Sequence, residues 1–330
     1  MGGAGMTALL EARDLTITVP GPHGPVTVVD RVTFAIEEGQ VFGLAGESGS
    51  GKTMTALAVP RLLPPRSVIE GEIRFRGRDL VRMPGKRLGA VRGREIGMVF
   101  QDPNTSLHPM LPVGAILTAP LRRHFGMGRS AARQRAAEAL DEVRIPDPEG
   151  SLARYPHQFS GGMRQRIAIA SALICRPGLL IADEPTTALD VTVQAGVLRL
   201  LDRLRRESGL GVLMITHDLG VMSSIAEVLT IMYGGRIVES GPARTVIRRP
   251  RHPYTEGLLA ALPATGGRRG GLTPIPGGPP MPTAGRVGCG FAPRCTHAVD
   301  SCRTETPELV AVGDGRVACP VRLDRTDREA

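Results

Sequence analysis

An α/β fold built around a phosphate-binding loop is predicted by three stretches of this 330-residue sequence. The first is Gln40-Val41-Phe42-Gly43-Leu44-Ala45, a short apolar run that ends at Gly46-Glu47-Ser48-Gly49-Ser50-Gly51-Lys52-Thr53, where Lys52-Thr53-Met54-Thr55-Ala56-Leu57 opens a helix. Strand, glycine-rich loop and helix in that order are the context that the pattern G-x-x-x-x-G-K-[ST] requires. The second is a pair of continuous apolar runs, Leu179 to Ala182 and Val212 to Thr216, of the kind found in parallel strands covered on both faces. The third is partial alternation over residues 9–19 (Leu15, Ile17, Val19), resumed by Val26-Thr27-Val28-Val29 with Val32, Phe34 and Ile36 after the break Pro20-Gly21-Pro22-His23-Gly24. That pattern predicts an antiparallel β layer.

Composition narrows the class. A 42% hydrophobic share suits a folded globule, and no stretch approaches the ~18 consecutive apolar residues of a membrane-spanning helix. Met1-Gly2-Gly3-Ala4-Gly5-Met6 has neither a basic nor an apolar signal region, so a cytoplasmic chain is expected. The formal charge of +9 is spread over scattered arginines, and 3% aromatic residues leave few stacking platforms, so nucleic acid is not among the expected partners. All but two of the 41 basic side chains are arginine, the exceptions being Lys52 and Lys86. A chain that avoids lysine yet keeps one in this loop points to a need for a slim point charge reaching phosphates.

Ile96-Gly97-Met98-Val99-Phe100 reads as a further buried strand that delivers Gln101-Asp102-Pro103 to its end. Ala115 to Arg144 reads as mostly helical, with an Ala-rich amphipathic pattern over Ala131 to Val143 stopped by Pro146 and Pro148. A helical subdomain at about 104–165 is therefore expected inside a core domain of residues 7–242, with a helix over Val191 to Arg206 joining the two later strands. After Gly241-Pro242 the composition shifts, and residues 243–330 read as an extension whose Gly266 to Pro282 stretch is loop-like. The core that carries the phosphate loop is expected to be separate from this tail.

The chemistry follows from residue type and place. Amides of Gly46, Glu47, Ser48, Gly49, Ser50, Gly51 and Lys52, with the helix start behind them, make an anion nest, and the Thr53 hydroxyl suits Mg²⁺. Asp183 closes an apolar strand, so its charge surfaces at the tip, where Mg²⁺ or a bound water can use it. Glu184 beside it is the candidate general base. Ser160-Gly161-Gly162 precedes a helix beginning Met163-Arg164-Gln165-Arg166, placing a hydroxyl and unobstructed amides at the positive end of a helix dipole.

Phe159-Ser160-Gly161-Gly162-Met163-Arg164-Gln165-Arg166, followed by Leu179-Leu180-Ile181-Ala182-Asp183-Glu184-Pro185, resembles the signature and acidic-strand motifs of ABC ATPases. The resemblance implies an ABC-type nucleotide-binding domain with an antiparallel β layer and an inserted helical subdomain, plus a Cys-containing C-terminal extension. It implies two ATP molecules sandwiched in a head-to-tail pair of ATPases, each Ser160-Gly161-Gly162 meeting the partner's nucleotide. Gln101 resembles the glutamine that senses Mg²⁺ and water, His217 the switch histidine at the γ-phosphate, and Ala188-Leu189-Asp190 the D-loop. The family's adenine-stacking aromatic falls near Val19, where only His23 is close, so adenine affinity is expected to be weaker or supported differently.

Phe100-Gln101-Asp102-Pro103-Asn104-Thr105-Ser106-Leu107-His108-Pro109, Tyr155-Pro156-His157-Gln158, Arg251-His252-Pro253-Tyr254-Thr255 and Gly288-Cys289-Gly290-Phe291-Ala292-Pro293-Arg294-Cys295 are similar to the dipeptide and oligopeptide importer ATPases, a branch that includes nickel importers. This branch implies ATP and Mg²⁺ as ligands, two transmembrane permease subunits, a second ATPase subunit, an extracytoplasmic solute-binding protein acting indirectly, and a peripheral place on the cytoplasmic face of the membrane. Cys289, Cys295, Cys302 and Cys319 contain no C-x-x-C pair, which weakens a zinc-ribbon reading, and disulfides are disfavoured in a cytosolic chain. The resemblance implies a [4Fe-4S] cluster on these four thiols; structural zinc and reduced, unligated thiols are the open alternatives. Cys175, at the end of the apolar Ile167 to Ile174 run, reads as a buried core thiol.

Overall fold

Residues 8–102, 106–186, 191–261, 274–278 and 287–321 are described by a computed structural model. Strands β1 (Leu10–Gly21) and β2 (Gly24–Ile36) pair antiparallel across a tight turn, and register shifts between Ala12 and Thr18 bend the ribbon. The chain then enters the interior as β3 (Val41–Ala45), passes the glycine-rich loop, and leaves as helix α1 (Lys52–Ala58). Strand β4 (Val68–Phe75) returns to the free edge of β1, and short β5 (Arg78–Asp79) completes a four-stranded sheet of order β2-β1-β4-β5. The expected antiparallel layer is present, with β4 and β5 as members that the alternation did not reveal.

After α2 (Gly85–Val91), β6 (Ile96–Val99) runs parallel to the later core strands and ends just before Gln101. Helices α3 (Val113–Phe125), α4 (Arg129–Glu142), α5 (Pro148–Ser151) and α6 (Gly161–Leu173) separate β6 from β7 (Leu179–Asp183). Next come α7 (Val191–Ser208), β8 (Gly211–Thr216), α8 (Leu219–Ile225), β9 (Val228–Tyr233) and β10 (Arg236–Pro242). Strands β9, β3, β8, β7 and β6 are parallel neighbours in that order, and β10 closes antiparallel on β9.

Period-2 alternation explains why the parallel strands are apolar throughout. Leu180, Val212, Met214 and Leu229 point to one face, where they join Val113, Leu117 and Leu121 of α3 and Ile167 and Ile169 of α6. Leu179, Ile181, Leu213 and Ile215 point to the other, against Leu15 and Ile17 of β1, Phe34 of β2 and Ile73 and Phe75 of β4. The sheet is thus a middle layer, and its C-terminal strand ends deliver Gly46, Gln101, Asp183 and His217 to one edge. Ligand sites of open α/β sheets lie at that edge. Cys175 is 7% exposed, the expected core thiol.

The tail departs from the expectation of a separate unit. Beyond α9 (Ala243–Arg248), α10 (Pro253–Ala260) and the short α11 (Ser301–Thr304), strands β11 (Val310–Val312) and β12 (Gly315–Val317) extend the main sheet, with Glu239 of β10 opposite Val317 and Ser240 opposite Arg316. Tyr254 and Phe291 are buried in the same apolar cluster as the core strands. The composition shift after Gly241 marks a change of chain character, while β10 still offers an unpaired edge that β12 fills. Most of the Gly266 to Pro282 stretch lies outside the described residues.

Candidate active site

The glycine-rich loop is held tightly from behind. A Cβ on Gly46 (φ +149°) would meet the Met232 carbonyl oxygen at 2.2 Å, so only glycine lets the loop lie against β9. Gly51 precedes α1 with φ +103°, a conformation that L side chains rarely adopt. Lys52 is 6% exposed and its ammonium donates to the carbonyl oxygens of Gly46 and Glu47, both at 2.8 Å, and to Ser50 Oγ at 3.2 Å. Burial pushes the Lys52 amine down from its ordinary range, opposed by the charges of Glu184, Asp183 and Glu47. A buried cation that senses three acids stands where an incoming polyanion would complete its coordination.

Thr53 Oγ1 donates to Asp183 Oδ1 at 3.3 Å, joining α1 to the tip of β7. Asp183 is 3% exposed, and burial raises its carboxyl above the usual range, with the Thr53 hydrogen bond acting the other way. A desolvated carboxylate beside a hydroxyl is a hard-oxygen pair suited to Mg²⁺, which binds through one or two carboxylates plus phosphate oxygens.

Glu184 follows with φ +48°, a left-handed backbone that costs a non-glycine residue of order 1–3 kcal/mol and is held here by its amide donating to the Ile215 carbonyl at 2.8 Å. The bend turns its carboxylate between two neighbours. Gln101 Nε2 donates to Oε2 at 2.9 Å, and His217 Nδ1 lies 3.0 Å from Oε1. Gln101 comes from the end of β6, Glu184 from β7 and His217 from β8, so three strand ends converge on one carboxylate. Sequence spacing placed each at a strand end; the convergence depends on the neighbour order β8-β7-β6.

Ser160 caps α6, its Oγ accepting from the Met163 amide at 3.3 Å. A Cβ on Gly161 would meet nothing within 4 Å, whereas one on Gly162 would strike Val193 Cγ1 at 2.7 Å. One glycine faces open space and the next packs against α7. Ala188, Leu189 and Asp190 lie outside the described residues. Val19 pairs with Val26 beside the β1–β2 turn, and His23 lies in the turn itself, exposed.

In the tail, the Cys289 amide donates to the Cys302 carbonyl at 2.7 Å, and the thiols of Cys302 and Cys319 are buried. Burial pushes the Cys289 thiol up, and the proximity of Cys302 and Cys319 adds to that shift. Cys295 Sγ accepts from the His297 amide at 3.4 Å. Among the described residues no group of three or more His, Cys, Asp or Glu side chains is arranged to hold a metal ion. Residue type and spacing give no sign of the tail residues that touch the phosphate loop, Tyr254 and Arg294. The Glu47 amide donates to Tyr254 Oη at 2.7 Å, and Arg294 grips the Glu47 carboxylate at 2.7 and 3.1 Å.

Comparison with known proteins agrees with this geometry. Residues 29–187 match the ABC transporter family and residues 238–302 the oligopeptide/dipeptide transporter C-terminal region. The oligopeptide transport ATP-binding protein OppD of Salmonella typhimurium is 46% identical over 312 residues, covering 94% of this chain and 93% of its own. The dipeptide transport ATP-binding protein DppD of Escherichia coli is 43% identical over 323 residues, 97% of this chain and 99% of its own. Among solved structures, the dimeric post-hydrolysis state of the ATP-binding cassette MJ0796 bound to ADP and Pi superposes with a TM-score of 0.64 at 29% identity, over 71% of this chain and 99% of that one.

Proposed function

Since the chain belongs to the ATP-binding subunits of oligopeptide and dipeptide ABC transporters, we propose that it hydrolyses ATP to drive peptide import, with Glu184 as general base and Gln101 and His217 as its positioning partners. The observation that carries the residue assignment is the convergence of Gln101 and His217 on the two oxygens of Glu184.

The phosphate loop and Lys52 bind the triphosphate, and Thr53 with Asp183 would hold Mg²⁺, which neutralises charge on the β- and γ-phosphates when bound. A water oriented by Gln101 and His217 attacks the γ-phosphorus, and Glu184 accepts its proton. The bond from that phosphorus to the β–γ bridging oxygen breaks, and ADP carries away the electron pair. Closure is proposed to require a second ATPase, whose nucleotide meets Ser160, Gly161 and Gly162, with Asp190 contributing at the same junction. The MJ0796 cassettes to which the chain is similar are dimeric, which supports that arrangement.

No helix among the described residues is long and apolar enough to cross a membrane. The membrane path is therefore assigned to two permease subunits, with this chain bound peripherally on the cytoplasmic side. The groove between the core and the helical subdomain, lined by Pro60, Leu62, Met98, Phe100, Leu107 and Pro120, suits a permease helix, and Leu62 and Phe100 on its rim are exposed at 41% and 38%. The four tail thiols as they stand do not frame a site for a single metal ion, and no step above passes through them; the [4Fe-4S] reading rests on resemblance, and structural zinc and reduced, unligated thiols are its alternatives. Iron, sulfide and zinc analysis of anaerobically purified protein decides between them.

Reconstitution of this chain with its permeases, second ATPase and binding protein tests the solute class. Stimulation of ATP turnover by peptide-loaded binding protein is expected. Stimulation by a nickel-loaded binding protein instead would move the assignment to the metal-importing members.

A further inference from the structure

Glu47 is the one acid of the phosphate loop and an awkward one, because its charge reaches the Lys52 ammonium that is to meet a polyanion. The C-terminal extension answers it. Arg294 binds both Glu47 oxygens, Nη1 to Oε2 at 2.7 Å and Nη2 to Oε1 at 3.1 Å, and also donates from Nη1 to Tyr233 Oη at 3.3 Å and from Nε to the Pro276 carbonyl at 2.7 Å. Its guanidinium lies 5.9 Å from the Tyr233 ring centre and 6.0 Å from that of Phe291, and Tyr254 packs edge-on against Tyr233 at 4.5 Å. Tyr254 itself is fixed from below, its amide donating to His252 Nδ1 at 3.0 Å while the His252 amide donates to the buried Glu239 at 2.9 Å. An exposed ion pair contributes little, but the Arg294 side chain is 7% exposed and its contact with the carboxylate is bidentate.

We propose that Arg294 of the C-terminal extension is a positioning residue of the ATP site, neutralising the Glu47 carboxylate and holding it away from the phosphates while Tyr254 ties the Glu47 amide. The inference rests on the assignment of Gly46 to Thr53 as the ATP loop. It makes the tail part of the nucleotide site and accounts for an acid in a loop built for anions.

The test is MgATP affinity of the full-length chain, measured at low and high salt for wild type, Arg294→Gln, Glu47→Gln, the double variant and Lys52→Ala. Arg294→Gln exposes a bare carboxylate beside the phosphates and is expected to weaken MgATP by about tenfold or more, above the roughly fivefold that a charge pair ~4 Å apart contributes in bulk water, with a smaller loss at high salt. Glu47→Gln added to it is expected to restore most of that affinity, a rescue that mere loss of tail docking does not give. Arg294→Lys keeps the charge and is expected to fall between wild type and Arg294→Gln. Wild-type affinity in Arg294→Gln, or no recovery in the double variant, overturns the proposal. A wild-type chain that binds no MgATP, or a Lys52→Ala chain that binds it normally, defeats the loop assignment instead.

Discussion

Two helix starts in this molecule are built for anions in opposite ways. At α1 the chain supplies everything itself: Lys52 is folded onto the loop carbonyls, Thr53 reaches Asp183, and Tyr254 and Arg294 close over Glu47 from the far end of the sequence. At α6 the start is capped by Ser160 alone, which is exposed, and Gly161 opens onto free space. The first is closed by neighbouring elements of its own chain and the second is open. That difference supports the proposal that the same backbone feature, amides at the positive end of a helix, serves a ligand held in cis at the first and one held in trans at the second.

The largest expected effect lies downstream of both. Glu184→Gln keeps the size of the side chain and most of its contacts but removes the proton acceptor, and ATP turnover of the assembled transporter should fall by about 10²–10⁴-fold with ATP still bound. Near-normal single-turnover hydrolysis would remove Glu184 from the base role. Next in size, and a direct probe of the comparison, Lys52→Ala strips the charge-assisted contacts at α1 and should weaken ATP binding to the isolated chain by roughly 10–100-fold. Ser160→Arg should do the reverse, leaving the isolated chain's ATP affinity intact while ATP-dependent pairing with the second ATPase, followed by size-exclusion chromatography, is lost. A Ser160→Arg chain that pairs normally but fails to bind ATP alone would make the two helix starts equivalent and end the distinction.

The legibility of the two regions differed for the same physical reason. The closed site was mostly readable because its donors are local: the loop sits between a buried strand and a helix, and Gln101, Asp183 and His217 each follow an apolar run whose end is a strand tip. The Ser160 cap was readable too, since a cap and its partner are three residues apart. Long-range closure was not. Arg294 meets Glu47 across 247 positions and Tyr254 meets it across 207, and no periodicity carries such a pairing. Composition sets the tail apart, yet Glu239 and Ser240 of β10 offer a sheet edge that Val317 and Arg316 occupy. The left-handed turn at Glu184 was equally invisible, because Glu carries no signal for positive φ in the way glycine does.

The smallest effect expected is one of stability, and it sharpens the proposal that the α1 site takes its cation at Asp183. Burial raises the Asp183 carboxyl above its unfolded value, so the folded chain binds that proton more tightly than the unfolded chain does. Stability carried by this group is therefore present in acid and is lost as pH rises from the ordinary carboxylate range through the raised folded value; above that value the penalty is complete. Asp183→Asn keeps the shape, removes the buried charge, and should raise the melting temperature of the nucleotide-free protein at pH 7 by about 2 °C, the shift that ~1 kcal/mol produces in a domain of this size. As pH falls through that raised folded value the gain should shrink, since the wild-type carboxyl then takes up its proton in the fold. With MgATP present the order should invert, because the wild type gains the cation that the asparagine cannot hold as well, and ligand binding to the native state alone adds to stability. Equal melting temperatures for the two chains in the absence of nucleotide would mean that Asp183 is not strained by its burial, and equal stabilisation by MgATP would mean that it is not a ligand to the metal.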